Sequence, residues 1–188
     1  MPATRQKIQE LDSLEAKSKQ LNEEGKRIVL CHGTFDLIHT GHIRHLQEAK
    51  KQGDLLFATI TADNYVSKGP GRPVFSEVLR AENLSALTCV DYVAIVRAPT
   101  AEQPISKIKP HIYVKGKEYK DAADDLTGNI AKEKQLVEKF GGEIYFTDDI
   151  TFSSSSLLNE HFGVFPPEIK SYLNSFKQNY SSDEIINM

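Results

Sequence analysis

Four of the chain's six histidines fall within residues 32–45, HGTFDLIHTGHIRH. Imidazoles gathered at that density can bind a metal, titrate near neutral pH, or donate hydrogen bonds to an anion. A helical zinc site wants a Glu between its paired histidines or a cysteine pair nearby, and this stretch has neither. His39 and His42 stand three residues apart across a turn and the start of a helical pattern, so their rings can converge on one bound group. Gly33 and Gly41 let the backbone approach a phosphate closely. The helix beginning at Gly41 adds unpaired N–H groups and the positive end of its dipole. Two imidazole donors at such a helix start suit a phosphoryl group that gains charge in its transition state. His32, at the end of the preceding apolar run, is either packed or turned toward a ligand. His45, one turn beyond His42, is read as lying outside the site.

The elements that must hold these residues follow from the hydrophobic pattern. Short β-branched runs bounded by loop residues mark five buried strands: RIVLC (27–31), DLLFATITAD (54–63), VDYVAIV (90–96), HIYVKG (111–116) and EIYFTDD (143–149). Helical patterns lie between them at 41–52, 76–87, around Ile105, and at 128–139, the last ended by Gly141-Gly142. Ser76 caps the second of these without the acidic partner of a capping box, since Leu79 stands three residues on. NYVSKGPGRPVF, rich in Gly, Pro and basic residues, is a loop. Strands alternating with helices at this spacing predict an α/β fold, a doubly wound parallel sheet of five strands covered on both faces. In such sheets ligands bind beyond the carboxyl ends of the strands, where HGTFD begins.

A polar helix is expected over 4–24, with a thin stripe of Ile8, Leu11, Leu14 and Leu21 that lies either on the body of the protein or on a second subunit. SSSSLLNEHF (153–162) reads as a short helix, and the tail FPPEIKSYLNSFKQNYSSDEIINM as a Pro-initiated helix, a polar break and a second helix start. The organisation is therefore an N-terminal helix (1–25), a main domain (26–162) and a helical tail (163–188), the tail being an interface or a linker to a further domain. A chain of 188 residues suffices for one well-packed domain with an appendage. With 23 Lys and Arg against 26 Asp and Glu, it lacks the surplus that broad nucleic-acid binding requires. No apolar run is long enough for a bilayer and the N-terminus has no signal-peptide core, so a cytoplasmic location is expected. Cys31 and Cys89, in apolar contexts, are read as reduced thiols.

GTFDLIHTGHIRHLQEA resembles the signature of nucleotidyltransferases that carry a His-x-Gly-His motif, the superfamily of cytidylyltransferases and class I aminoacyl-tRNA synthetases. The resemblance continues through SKGPGRPVFSEVLRAENLSALTCVDYV, IKPHIYVKGKEYK and GGEIYFTDDITFSSSSLL, about residues 27–160. Within the superfamily it is nearest to the heptose 1-phosphate adenylyltransferase domain of bacterial lipopolysaccharide and S-layer sugar synthesis. It implies a Rossmann-like sheet and attack of a phosphate monoester on the α-phosphorus of a nucleoside triphosphate, with Mg2+ shared among the phosphates and pyrophosphate leaving. The resemblance makes His39, His42 and Lys68 catalytic. It assigns nucleotide contacts to the backbone of Gly33, Thr34, Phe35 and Gly41, to Lys115, Gly116 and Glu118 after the fourth strand, and to Ser153, Ser154, Ser155 and Ser156. Arg80 would either reach the phosphates or hold its helix. Asp36, Arg72 and His32 border the acceptor pocket, Asp36 orienting the loop. The resemblance supplies no metal-ligating side chain. It further implies a homodimer and, in many bacteria, fusion to a ribokinase-like sugar kinase.

Cytidylyltransferases for glycerol phosphate and phosphocholine typically carry Arg-Thr-x-Gly-Ile-Ser-Thr-Thr where this chain reads TDDITFSSSS, and Gly-Asp-Asp where it reads GKEY. Both departures favour ATP and a sugar 1-phosphate. The alternatives are a CTP-dependent enzyme for glycerol 3-phosphate or another polyol phosphate, and a non-catalytic nucleotide-binding module. Joint retention of His39, His42, Lys68 and Arg80 speaks against the last.

Overall fold

The computed structural model describes residues 3–69, 71–119, 129–148, 169, 171, 172 and 175. The chain divides into two compact units, 1–152 and 153–188. In the second, the described residues Ile169, Ser171, Tyr172 and Ser175 are helical. The expected helix at 153–162 lies outside the described residues.

The first unit is built on five parallel strands: β1 (Ile28–Gly33), β2 (Leu55–Thr61), β3 (Tyr92–Val96), β4 (Ile112–Gly116) and β5 (Glu143–Thr147). Their spatial order is β3-β2-β1-β4-β5. The chain winds outward from β1 to β3, then returns to lay β4 on the other side of β1. The order reverses between β1 and β4, the switch point beyond whose strand ends sheets of this kind bind their ligands. The helices are α1 (Ala3–Gln6), α2 (Leu11–Glu23), α3 (Thr40–Lys50), α4 (Glu77–Ser85), α5 (Glu102–Ile108) and α6 (Ile130–Lys139).

Strand residues alternate between two cores. Val29, Cys31, Leu56, Ala58, Ile60, Ile112 and Val114 pack with Leu46 and Ala49 of α3 and with Ala81 and Leu84 of α4. Ile28, Leu30, Phe57 and Tyr113 pack on the opposite face with Leu14 of α2, Ile105 of α5 and Val137 of α6. Because β1, β2 and β4 are covered on both faces, they read as continuous apolar runs.

The N-terminal segment departs from the helix expected over 4–24. It breaks after Gln6, where Ile8 forms an isolated bridge with Val93. The Val93 N–H donates to the Lys7 carbonyl at 2.8 Å and the Gln9 N–H to the Val93 carbonyl at 2.9 Å. This pairing covers part of the open edge of β3, which otherwise presents unpaired backbone groups. Leu11, Leu14 and Leu21 are buried, and the Ser18 hydroxyl donates to the Ile108 carbonyl. The apolar stripe therefore lies on the body of its own unit. Gly25, at φ 71°, ends α2 where a side chain would be strained.

Two strands are followed by single 3₁₀ turns, Asp63–Tyr65 after β2 and Lys117–Tyr119 after β4. Cys31 is buried and Cys89 half-buried, both as free thiols, and burial raises both pKa values above the ordinary thiol range. Among the described residues no helix is long and apolar enough to cross a membrane.

Candidate active site

The centre of the site is the start of α3. His39 is its N-cap, in extended conformation, and its Nδ1 accepts from the Gly41 N–H at 3.1 Å. His42 returns the bond, its Nδ1 accepting from the His39 N–H at 3.4 Å. This is a capping box in which two imidazoles take the places usually held by a hydroxyl and a carboxylate. A ring whose Nδ1 accepts carries its proton on Nε2 when neutral. The box therefore fixes both tautomers as Nε2–H donors and sets the rings 4.0 Å apart between centroids. Phe35 backs His42 edge-on at 5.5 Å. Burial, then the neighbouring His39, His45 and Lys68, push the His42 pKa down to about 3, so the ring is neutral at pH 7. The Gly41 N–H, expected at a phosphate, is committed to this cap.

The loop before α3 is held by two buried charged side chains. Asp36, 2% exposed, accepts from Arg72 Nε at 2.7 Å, the Val74 N–H at 2.9 Å and the Phe75 N–H at 3.1 Å. It fastens loop 72–75 to loop 34–37, which is the orienting role. Arg80 is fully buried. Its guanidinium donates to the carbonyls of Phe75, Thr34 and Thr61 at 3.0, 2.6 and 2.8 Å, and to Asp63 Oδ1 at 2.6 Å. Of its two expected roles the structure displays the holding one. With no surface exposed, the guanidinium has no face for a phosphate in this conformation.

Phe35 and Leu37 adopt φ of 48° and 61°, a left-handed backbone that bulky residues rarely take. Asp36 and Arg80 supply the contacts that hold it there. Gly33 was expected to admit a phosphate, but its missing Cβ also makes room for the Phe35 ring, 3.3 Å from where that atom would stand. The Thr34 carbonyl serves Arg80.

Lys68 and Arg72 complete the cationic side. Lys68 lies in the exposed loop after β2, yet its ammonium loses part of its hydration there. That loss, with Arg72 and Arg80 nearby and Asp36 opposing, lowers its pKa from the ordinary lysine value. Arg72 is 8% exposed in its side chain. Its Nε is taken by Asp36, while its buried Nη2 has no hydrogen-bond partner among the described residues. A buried guanidinium nitrogen left unpaired is costly unless a ligand meets it.

His32 is packed between hydroxyls of β2, Nδ1 3.0 Å from Thr59 Oγ1 and Nε2 3.3 Å from Thr61 Oγ1. Burial and, secondarily, Lys115 depress its pKa to about 3. Both ring nitrogens are thus occupied by the sheet. Lys115 pairs with Glu133 of α6 at 3.1 Å, and Gly116 closes β4 in register with Thr147. Glu118 lies in the turn Lys117–Tyr119, its side chain outside the described residues. Ser153, Ser154, Ser155 and Ser156 also lie outside them.

Sequence reasoning missed three participants. His45, read as outside the site, places Nδ1 2.8 Å from Thr147 Oγ1 and so ties α3 to the end of β5. Asp63 anchors Arg80. Glu133 is a buried carboxylate in line with Ile130 and Val137 on the inward face of α6. An acid at spacing i+3 within an apolar stripe is the signal that would have exposed it. Among the described residues no three His, Cys, Asp or Glu side chains gather to hold a metal ion.

A parallel α/β sheet with paired imidazole donors at the helix start that follows β1, flanked by lysine and arginine, fits a nucleotidyltransferase-type domain. Comparison with known proteins agrees: the model of the cytidylyltransferase-like family matches residues 30–187, and the chain belongs to that family. It is 39% identical over 142 residues to the bifunctional protein HldE of a Nitratiruptor species, covering 74% of this chain and 30% of that protein. The HldE of Syntrophotalea carbinolica is 36% identical over 156 residues, covering 82% and 30%. The chain thus spans less than a third of the length of these relatives. Among solved structures, a lipopolysaccharide core biosynthesis protein from Thermoplasma volcanium superposes with TM-score 0.53 at 26% identity, over 69% of this chain and all of that one. Pantoate-beta-alanine ligase from Francisella tularensis shares the fold, with TM-score 0.54 at 13% identity over 89% of this chain and 85% of that one.

Proposed function

We propose that this domain transfers the nucleotidyl group of a nucleoside triphosphate, ATP in preference to CTP, to a sugar 1-phosphate such as a heptose phosphate. An acceptor phosphate oxygen forms the new bond to the α-phosphorus, the bond to the β-phosphate bridging oxygen breaks, and pyrophosphate leaves. The observation that carries this reading is the His39–His42 capping box, which presents two Nε2 atoms as donors, His42 as a neutral ring, at a helix N-terminus beside Lys68 and Arg72. Donors aimed at non-bridging oxygens stabilise charge that grows in the transition state, and neutral rings do so without giving up a proton. Lys68 meets the triphosphate, and the unpaired Nη2 of Arg72 meets the acceptor's phosphate. Mg2+ held by the substrate phosphates would offset part of their charge, while His39, His42, Lys68 and Arg72 supply the protein's donors.

The substrate choice rests on similarity to the HldE proteins and on the departures TDDITFSSSS and GKEY. CTP with glycerol 3-phosphate is the second reading, favoured by the family's cytidylyltransferase-like character. The relatives' description as bifunctional supports a companion domain in the same polypeptide, which the resemblance makes a sugar kinase, tested by reading the gene beyond codon 188. A homodimer would need a surface other than the α2 stripe, which its own core already uses. We expect the protein to act in the cytoplasm.

Pyrophosphate release with Mg2+, measured for ATP and CTP against a panel of sugar 1-phosphates and polyol phosphates, tests the reading. Release with ATP and a sugar 1-phosphate is the expected result. Release only with CTP and a polyol phosphate would move the protein to the second reading.

A further inference from the structure

Glu133 lies outside every motif considered above, yet it is 4% exposed. Its Oε2 accepts from the Tyr113 hydroxyl at 3.1 Å and faces Lys115 Nζ at 3.1 Å. The Lys115 ammonium, on a side chain only 14% exposed, sits 5.5 Å from the centre of the Tyr113 ring and 4.6 Å from that of Tyr119. A buried ammonium between two aromatic rings requires a counter-charge, and the carboxylate of Glu133 provides it. Tyr119 belongs to the turn that follows β4, at the carboxyl end of one of the two strands between which the strand order reverses.

The other side of this strand end is tied to the histidine helix. The Thr147 hydroxyl donates to the Lys115 carbonyl at 3.4 Å, and His45, one turn beyond His42, contacts the same hydroxyl at 2.8 Å. Lys115 is thereby held twice, by its carbonyl toward α3 and by its ammonium toward α6. The first hold links it to the helix that carries the phosphate donors; the second fixes the turn on which Tyr119 stands.

We infer that Glu133 is a positioning residue for nucleotide binding, acting through Lys115 to hold the Lys117–Tyr119 turn as a wall of the nucleoside half of the site. The inference rests on the nucleotidyltransferase reading above and adds to it a residue, and a route, that the motif does not contain. Lys115 is on this account an internal counter-ion that shapes the wall, not a group that touches the nucleotide. Neutralising Glu133 leaves a buried ammonium without its partner, and the side chain must leave its place between the rings.

The experiment is equilibrium binding of a non-hydrolysable ATP analogue with Mg2+, together with steady-state turnover, on the full chain. Wild type is compared with Glu133→Gln, Lys115→Gln, the double variant Glu133→Gln/Lys115→Gln, and Tyr113→Phe. Glu133→Gln should weaken analogue binding by about tenfold, with the KM for the acceptor changed less than twofold. Lys115→Gln and the double variant should show the same loss as the single Glu133 variant, because both substitutions interrupt one route. Tyr113→Phe keeps the ion pair and should bind like wild type. If Glu133→Gln does not fold, the apolar replacement Glu133→Leu/Lys115→Met removes both charges together, and it should fold while showing the same tenfold loss. Unchanged binding in a folded Glu133 variant, or an equal loss in Tyr113→Phe, would overturn the inference. Wild type that binds no analogue at all would instead overturn the nucleotidyltransferase reading on which it rests.

Discussion

The histidine loop and the β4–β5 strand ends are held in place by different means. On the histidine side, buried charged groups grip the backbone: Arg80 takes three carbonyls and Asp36 takes two N–H groups. On the β4–β5 side, most ties run between side chains far apart in the sequence, as in Lys115–Glu133, His45–Thr147 and Lys117–Asp148. A loop fixed through its backbone can carry left-handed residues and present its N–H groups at set angles, which phosphate binding needs. A wall fixed through side chains can change its lining without disturbing the sheet, which suits the part of a site that distinguishes one nucleotide or acceptor from another.

That contrast can be broken from either side. The largest expected effect is on turnover. His42→Ala should lower kcat by about 10²–10³-fold, the scale for removing one donor to a charged transition state, while a thermal melt shows the fold intact. Turnover within a factor of three of wild type would remove His42 from the chemistry.

Next in size is the backbone grip. Arg80→Met deletes four hydrogen bonds from a fully buried site and leaves Asp63 without its partner, so urea unfolding should register a loss of about 3–5 kcal/mol. A loss below about 1 kcal/mol would mean that loop 34–37 keeps its shape without the guanidinium.

Smaller, and dependent on pH, is the contribution of His32. Its folded pKa of about 3 lies below the ordinary 6.5, so between those values the unfolded chain binds a proton that the folded chain refuses. The stability associated with its neutral, packed state is complete above pH 6.5 and is lost as pH falls toward 3, at up to about 1.4 kcal/mol per pH unit. His32→Asn, which cannot titrate, should flatten the pH dependence of unfolding in that window. An unchanged slope would show that His32 protonates in the folded state. His42 loses stability with the same sign over the same window.

The smallest effect belongs to the rim. Arg27 and Glu143 form an ion pair at 2.9 Å with side chains 52% and 68% exposed. Arg27→Ala should change stability by less than about 0.5 kcal/mol, within the range for solvent-screened pairs. A larger change would place that pair among the ties that hold β5.

What could be read in advance follows the same division. The five strands, the Ser76 cap and the glycine end of α2 are encoded within a few neighbouring residues, as is the position of His39 and His42 at a helix start. The N-terminal break could not be read that way, because Lys7 and Gln9 leave the helical pattern only to pair with Val93, more than eighty positions away. Arg80 could be singled out, but the choice between touching phosphate and holding carbonyls depends on burial, which one sequence does not display. Glu133 and the His45–Thr147 contact are tertiary pairings with no local signature beyond an acid in an apolar stripe.

Whether this site moves a nucleotidyl group is decided by transfer of label from ATP labelled at the α-phosphorus into a sugar 1-phosphate. Wild type should give labelled nucleotide-sugar and one equivalent of pyrophosphate, with both reduced about a hundredfold or more in His42→Ala. Bound but unreacted triphosphate with every acceptor tried, for CTP as well as ATP, would contradict it and leave a domain that holds nucleotides without transferring them.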